Sequence, residues 1–237
     1  MTGLVAFLVS LLALVPALLI AIPVHEMGHA AAAYMLGDRS VRYFGYFTWN
    51  PRRFLDPLGV IAVFVALVGW GRRVPVQPNR ISTTGQKVLF QLGGPAANLL
   101  VGVVFGGVLR LFYAAGVHHP FNPLTLTGLA AAVIYAIWFL NLSLFAFQLL
   151  PIPGLDGWEI VEALFRSRNP RFFIDVNSRR RQIWIGAIVV LFVLQFVGLN
   201  LLGLVMSPFY VPASLISSGE CSGYEIKAFI GLAPCLP

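Results

Sequence analysis

The sequence predicts an all-α polytopic membrane protein with about four full transmembrane helices, a re-entrant segment and a short interfacial β-hairpin. Three observations carry this prediction. Hydrophobic residues fill 58% of the 237 positions and charged residues only 11%, with a mean hydropathy of +0.83. A soluble domain carries roughly 25% charged residues, so a water-soluble globule, a disordered tail and a fibre are excluded. Charges are also segregated: residues 1–24, 88–109, 111–155 and 182–219 contain no Asp, Glu, Lys or Arg, and uncharged apolar runs of 18 or more residues are membrane spans. Finally, the net charge of +7 lies mostly in the loops, at Arg39 to Lys87 and Arg166 to Arg181. That placement suits anionic lipid headgroups and excludes nucleic acid as the partner.

Taken in order, residues 3–36 form an apolar segment longer than the bilayer core is thick, in which Pro16 and Pro23 either kink one helix or divide it into two. It resembles a signal-peptide core, but it lacks a basic start and runs into His25 and Glu26 without a cleavage site, so it is a retained span. Residues 37–55 alternate Tyr, Phe and Val with Arg and Thr, the pattern of an interfacial hairpin. Residues 57–71 are apolar but, at about 22 Å as a helix, too short to cross comfortably. A Pro-punctuated loop over 72–87 leads to spans at about 88–112 and 125–150. The polar stretch 151–181 contains a short helix at 157–167. A last span at about 182–206 closes a single membrane domain over 1–206, and 207–237 is a C-terminal tail. Cys221 and Cys235 in that tail are either a disulfide or two idle thiols.

The sharpest motif is His25-Glu26-Met27-Gly28-His29. On a helix, positions i and i+4 share a face, so both imidazoles can reach one metal ion, while Glu26 is turned about 100° away, toward a water activated there. Three ionisable groups directly after 24 uncharged residues are costly at membrane depth, which marks them as functional. A catalytic zinc needs a third protein ligand and one open position. Asp38 lies close in sequence to His29, Asp56 starts the short apolar segment, and Asp175 sits in the Arg-rich loop. Asp156 follows a span that ends in Leu149-Leu150-Pro151-Ile152-Pro153-Gly154-Leu155-Asp156-Gly157, where a broken backbone can place a side chain in a cavity. Asp156 is therefore the favoured ligand, and a helix N-cap is its competing role.

His25-Glu26-x-x-His29 within an apolar segment, followed by Leu155-Asp156-Gly157, resembles the site-2 proteases, the intramembrane zinc metalloproteases. The resemblance extends to Asn50-Pro51, Asp56-Pro57-Leu58-Gly59, Gly69-Trp70, Val74-Pro75-Val76 and Gly94-Pro95-Ala96-Ala97-Asn98, and so covers about residues 15–165. It implies one Zn2+ per chain held by His25, His29 and Asp156, with Glu26 as general acid/base. It further implies cleavage of a peptide bond within a transmembrane segment of a protein substrate in the bilayer. The family usually has Asn where this chain has Gln148. Asn98 and Gln148 are expected either to donate hydrogen bonds to an unwound substrate backbone or to glue neighbouring spans together.

Topology supplies an independent check. If 57–71 crossed fully, His29 and Asp156 would end on opposite sides of the bilayer; a re-entrant 57–71 brings them together. The same choice places loops 37–87 and 151–181, with fourteen of the sixteen basic residues, on the cytoplasmic side of a cell membrane and the tail outside. The alternative function is a multi-pass metal or proton transporter using the same His, Glu and Asp cluster. The absence of internal repeats weighs against it.

Overall fold

A computed structural model describes residues 2–118, 121–122, 125–199 and 201–218. Cys221 and Cys235 fall outside them. Among the described residues ten helices follow one another: α1 (Thr2–Met35), α2 (Ser40–Tyr43), α3 (Pro51–Phe54), α4 (Pro57–Ala66), α5 (Thr84–Ala114), α6 (Leu126–Gln148), α7 (Asp156–Phe165), α8 (Pro170–Ser178), α9 (Arg180–Phe196) and α10 (Leu201–Ser218). Four stretches of the described residues are long and apolar enough to cross a membrane: Leu11–Met35 within α1, and α5, α6 and α10. The protein is thus a multi-pass membrane protein.

α1 is one helix through Pro16 and Pro23, as spans tolerate when neighbouring helices pack around the lost hydrogen bond. α1, α5 and α6 pack most extensively on one another, and α10 lies against α5 and α6. The tightest approach joins α1 to α5: a Cβ on Gly28 would stand 2.3 Å from Gly93 O, and one on Gly93 would stand 2.6 Å from Gly28 O. Only glycines let the backbones meet there, as small residues do between membrane helices. A capping box starts α5, with Gln86 N donating to Thr83 Oγ1 and Thr83 N to Gln86 Oε1, which satisfies backbone donors at the helix end.

Three expectations are corrected. No strand forms over 37–55; that stretch holds α2, turns at 44–48 and α3, because Asn50 caps α3 through Arg52 N and Pro51 opens it. The expected span 182–206 is two helices, α9 and α10, separated by a turn at which Gly198 has φ 85°. α10 then continues to Ser218, past the expected start of the tail. A further short helix, α8, occupies the stretch expected to follow a single helix at 157–167. Asn169 caps it through Phe172 N, and the Asn177 amide secures it to Glu162 of α7.

Between α3 and α5 the chain doubles back. Asp56 caps α4 through Leu58 N and Gly59 N. After α4 the backbone reverses at Leu67, so that Leu55 and Gly71 form an antiparallel bridge. Residues 56–70 therefore leave and return at one place. Beyond Gly71, residues 72–77 form neither helix nor strand, and among the described residues the backbone of 73–76 pairs with no other segment.

Buried Asp38 anchors the far end of that stretch. Its carboxylate accepts from Gln77 N at 2.7 Å, Ser40 Oγ at 2.6 Å and Ser40 N at 3.0 Å. Burial works to raise this carboxyl, but these hydrogen bonds and the nearby Arg80 charge outweigh it and hold it below the ordinary carboxylate range. A depressed carboxyl contributes stability at neutral pH that is lost as pH falls through its folded value. Asp38→Asn should accordingly melt below the wild type at pH 7, by the equivalent of about 1–3 kcal/mol. The gap should narrow in melts recorded toward pH 3; one constant across pH would show that charge is irrelevant there.

Candidate metal centre

α1 presents His25 and His29 one turn apart, and the first residue of α7 presents Asp156. Their atoms converge. His25 Nε2, His29 Nε2 and Asp156 Oδ2 are each 3.1 Å from the other two. Three ligands held at about 2.0–2.1 Å in a tetrahedron would stand roughly 3.3 Å apart, so the triangle is the size zinc requires. The N-cap of α7 is Leu155, with no side-chain cap; Asp156 commits its carboxylate to the histidines, not to capping.

The other ring nitrogens decide the chemistry. His29 Nδ1 donates to Phe90 O at 2.8 Å. Asn98 Nδ2 donates to Ala21 O and Asn141 Oδ1, so its oxygen is free to accept from His25 Nδ1 at 2.7 Å. With both Nδ1 atoms protonated, a neutral ring leaves a lone pair on each Nε2. Two such lone pairs and a carboxylate oxygen would then face one another in a buried site with no hydrogen between them. A cation resolves that repulsion, and the donor set of two imidazoles and a carboxylate fits zinc. Gly94 on α5 makes room, because a Cβ there would lie 2.4 Å from His29 Nε2.

All four chemistry-bearing residues are nearly inaccessible: His25 is 2% exposed, Glu26 3%, His29 5% and Asp156 6%. Glu26 lines the same cavity of about 550 Å³, and its Oε2 is a buried carboxylate oxygen with no hydrogen-bond partner among the described residues. A buried group left unsatisfied beside a ligand cluster is suited to a mobile partner such as water. Gly71 lies against it, where an added Cβ would be 2.6 Å from Glu26 Oε1. Gln148 also lines the cavity, with Nε2 donating to Gly69 O at 3.4 Å.

The remaining acidic candidates stay away from the cluster. Asp38 anchors the loop, Asp56 caps α4 and Asp175 is exposed on α8. Several residues around the site were not assigned to it from the sequence, among them Gly94, Gly71, Phe90, Arg73, Arg180 and Trp184. Gly94 carried a signal in its Gly-Gly-Pro context; Arg73 and Trp184 meet the cavity only through the fold.

The sequence model of peptidase family M50 matches residues 13–195. Over 153 residues the chain is 37% identical to the protein named "Putative zinc metalloprotease YwhC" of Bacillus subtilis, covering 64% of this chain and 68% of that one. Over 150 residues it is 35% identical to "Putative zinc metalloprotease Rip2" of Mycolicibacterium smegmatis, covering 61% and 54%. The Rip2 protein of Mycobacterium tuberculosis is 34% identical over 159 residues, covering 65% and 57%. The chain thus matches about two thirds of YwhC and little more than half of each Rip2. No solved structure matches it.

Proposed function

The chain belongs to peptidase family M50, and we propose that it hydrolyses a peptide bond within or next to a transmembrane segment, with His25, His29 and Asp156 holding one zinc ion. The observation that carries this is the convergence of His25 Nε2, His29 Nε2 and Asp156 Oδ2 beside the unpartnered Oε2 of Glu26. Zinc supplies a Lewis acid that activates water near neutral pH and polarises the scissile carbonyl. Glu26 accepts the proton of the attacking water and delivers it to the leaving amide nitrogen. The buried setting keeps bulk water from competing for that proton. The relatives are named as zinc metalloproteases, and the transporter reading has no support. Stripping the metal with a chelator should abolish cleavage of a designed transmembrane peptide, and added zinc should restore it; cleavage that survives chelation would remove the metal from the reaction.

A transmembrane helix hides its carbonyls in its own hydrogen bonds, so the substrate must unwind before attack. The unpaired backbone of 73–76 beside the cavity offers hydrogen bonds to an extended chain, as in strand addition. Gln148 supplies a further donor to the substrate backbone. Asn98 acts differently. Its oxygen and both amide hydrogens are committed to His25, Ala21 and Asn141, so it orients His25 and touches no substrate. Asn98→Leu should weaken zinc binding by about 10–100-fold, read by competition with a chromophoric chelator. Unchanged affinity would reduce Asn98 to glue between helices.

The bridge of Leu55 to Gly71 supports a re-entrant 57–71, and with it a shared side for loops 37–87 and 151–181, which the basic residues assign to the cytoplasm. The last turn of α10 lies against the second half of α5, where Arg110 donates to Ile216 O. That contact supports a tail emerging on the outer side.

A further inference from the structure

Two guanidinium groups share the cavity wall with the metal ligands. Arg73 and Arg180 both line it, and both bond to one oxygen, Glu159 Oε1: Arg73 through Nη1 at 3.2 Å, Arg180 through Nη2. Arg73 Nη2 also donates to Gly154 O at 2.6 Å. Glu159 stands three residues after Asp156, on the same face of α7. Two cations on one carboxylate leave a positive charge uncompensated, and the side chains of Arg73 and Arg180 remain 54% and 33% exposed. Ion pairs open to water in this way are weak and exchange partners readily.

Arg73 lies on the unpaired segment itself. Gly71 faces Glu26, and Arg73 follows two residues later, at most about 7 Å further along the chain. We propose that Arg73 and Arg180 form an anion subsite selecting substrates with an acidic side chain two or three residues from the scissile bond. Glu159 occupies the subsite until a substrate carboxylate replaces it. A guanidinium pair suits a carboxylate because its forked donors match the two oxygens. The inference rests on the protease reading above, and it names the substrate class that reading leaves open.

The test uses reconstituted full-length protein and transmembrane peptides that differ only in carrying Asp, Ala or Lys at positions two and three on either side of the scissile bond. At one of these positions kcat/KM should be about tenfold higher for Asp than for Ala, and lower for Lys than for Ala. Arg73→Glu should reverse the order of Asp and Lys. Glu159→Gln should raise the Asp-to-Ala ratio several-fold, because the internal competitor is gone. If the three groups only clamp the 72–77 stretch to α7 and α9, every variant would change all peptides by one factor and leave the ratios untouched, which overturns the proposal. Ratios are insensitive to the fraction of protein folded. A wild-type protein that cleaves the Ala and Asp peptides equally defeats the subsite alone; one that cleaves none defeats the protease reading and the subsite with it.

Discussion

Glu26→Gln is expected to keep its zinc and to lose about a thousandfold in cleavage rate, within the 10²–10⁴ that a positioned general base contributes. The side chain keeps its length and an oxygen, but the amide cannot take a proton from water. Its place in the cavity is unchanged, because Glu26 is no member of the ligand triangle formed by His25, His29 and Asp156. Metal content by elemental analysis and initial rates on one transmembrane peptide, measured on the same preparation, separate the possibilities. Full zinc with residual activity near zero assigns the proton transfer to Glu26. Loss of zinc along with activity would make Glu26 a ligand and break the division of labour between the two halves of the His25–His29 motif.

Asp156→Ala should lose both metal and activity. Two imidazoles remain one turn apart, but the triangle of 3.1 Å sides loses a corner and its only anionic member. Three protein ligands are the usual minimum for a catalytic zinc site. The consequence is also visible without substrate. Zinc that binds only the folded protein raises its melting temperature with concentration, so added zinc should stabilise the chelator-stripped wild type and leave Asp156→Ala unmoved. His29→Ala should behave alike. Equal stabilisation of wild type and Asp156→Ala would send the third ligand elsewhere.

The sequence made the cluster of His25, His29 and Asp156 legible because its strongest signals are local. The i, i+4 spacing of His25 and His29 is a property of one helix, and the broken backbone before Asp156 set it apart from the other acidic residues. Three of the four apolar runs located α1, α5 and α6 within a few residues for the same reason. The errors arose where hydropathy and alternation stand in for backbone direction. In Tyr43 to Phe47, aromatic alternation suggested a strand, but Asn50-Pro51 and the local turns produce helix and coil. In 182–206, apolar residues continue on both sides of Gly198, so composition hides the turn between α9 and α10. Apart from the pairing of Asp156 with the two histidines, long-range partnerships were illegible. Nothing near Asn98 in sequence reveals that its oxygen meets His25, 73 positions away, nor that Arg73 and Arg180 share Glu159.

Mass spectrometry of a reconstituted transmembrane peptide, cleaved in water enriched in oxygen-18, tests the central claim most directly. The account predicts a single scissile bond inside or beside the apolar stretch, one heavy oxygen in the new carboxyl terminus, and no products from chelator-treated protein or from Glu26→Gln. Cleavage confined to soluble flanks, or heavy-oxygen products that persist without metal, would contradict it.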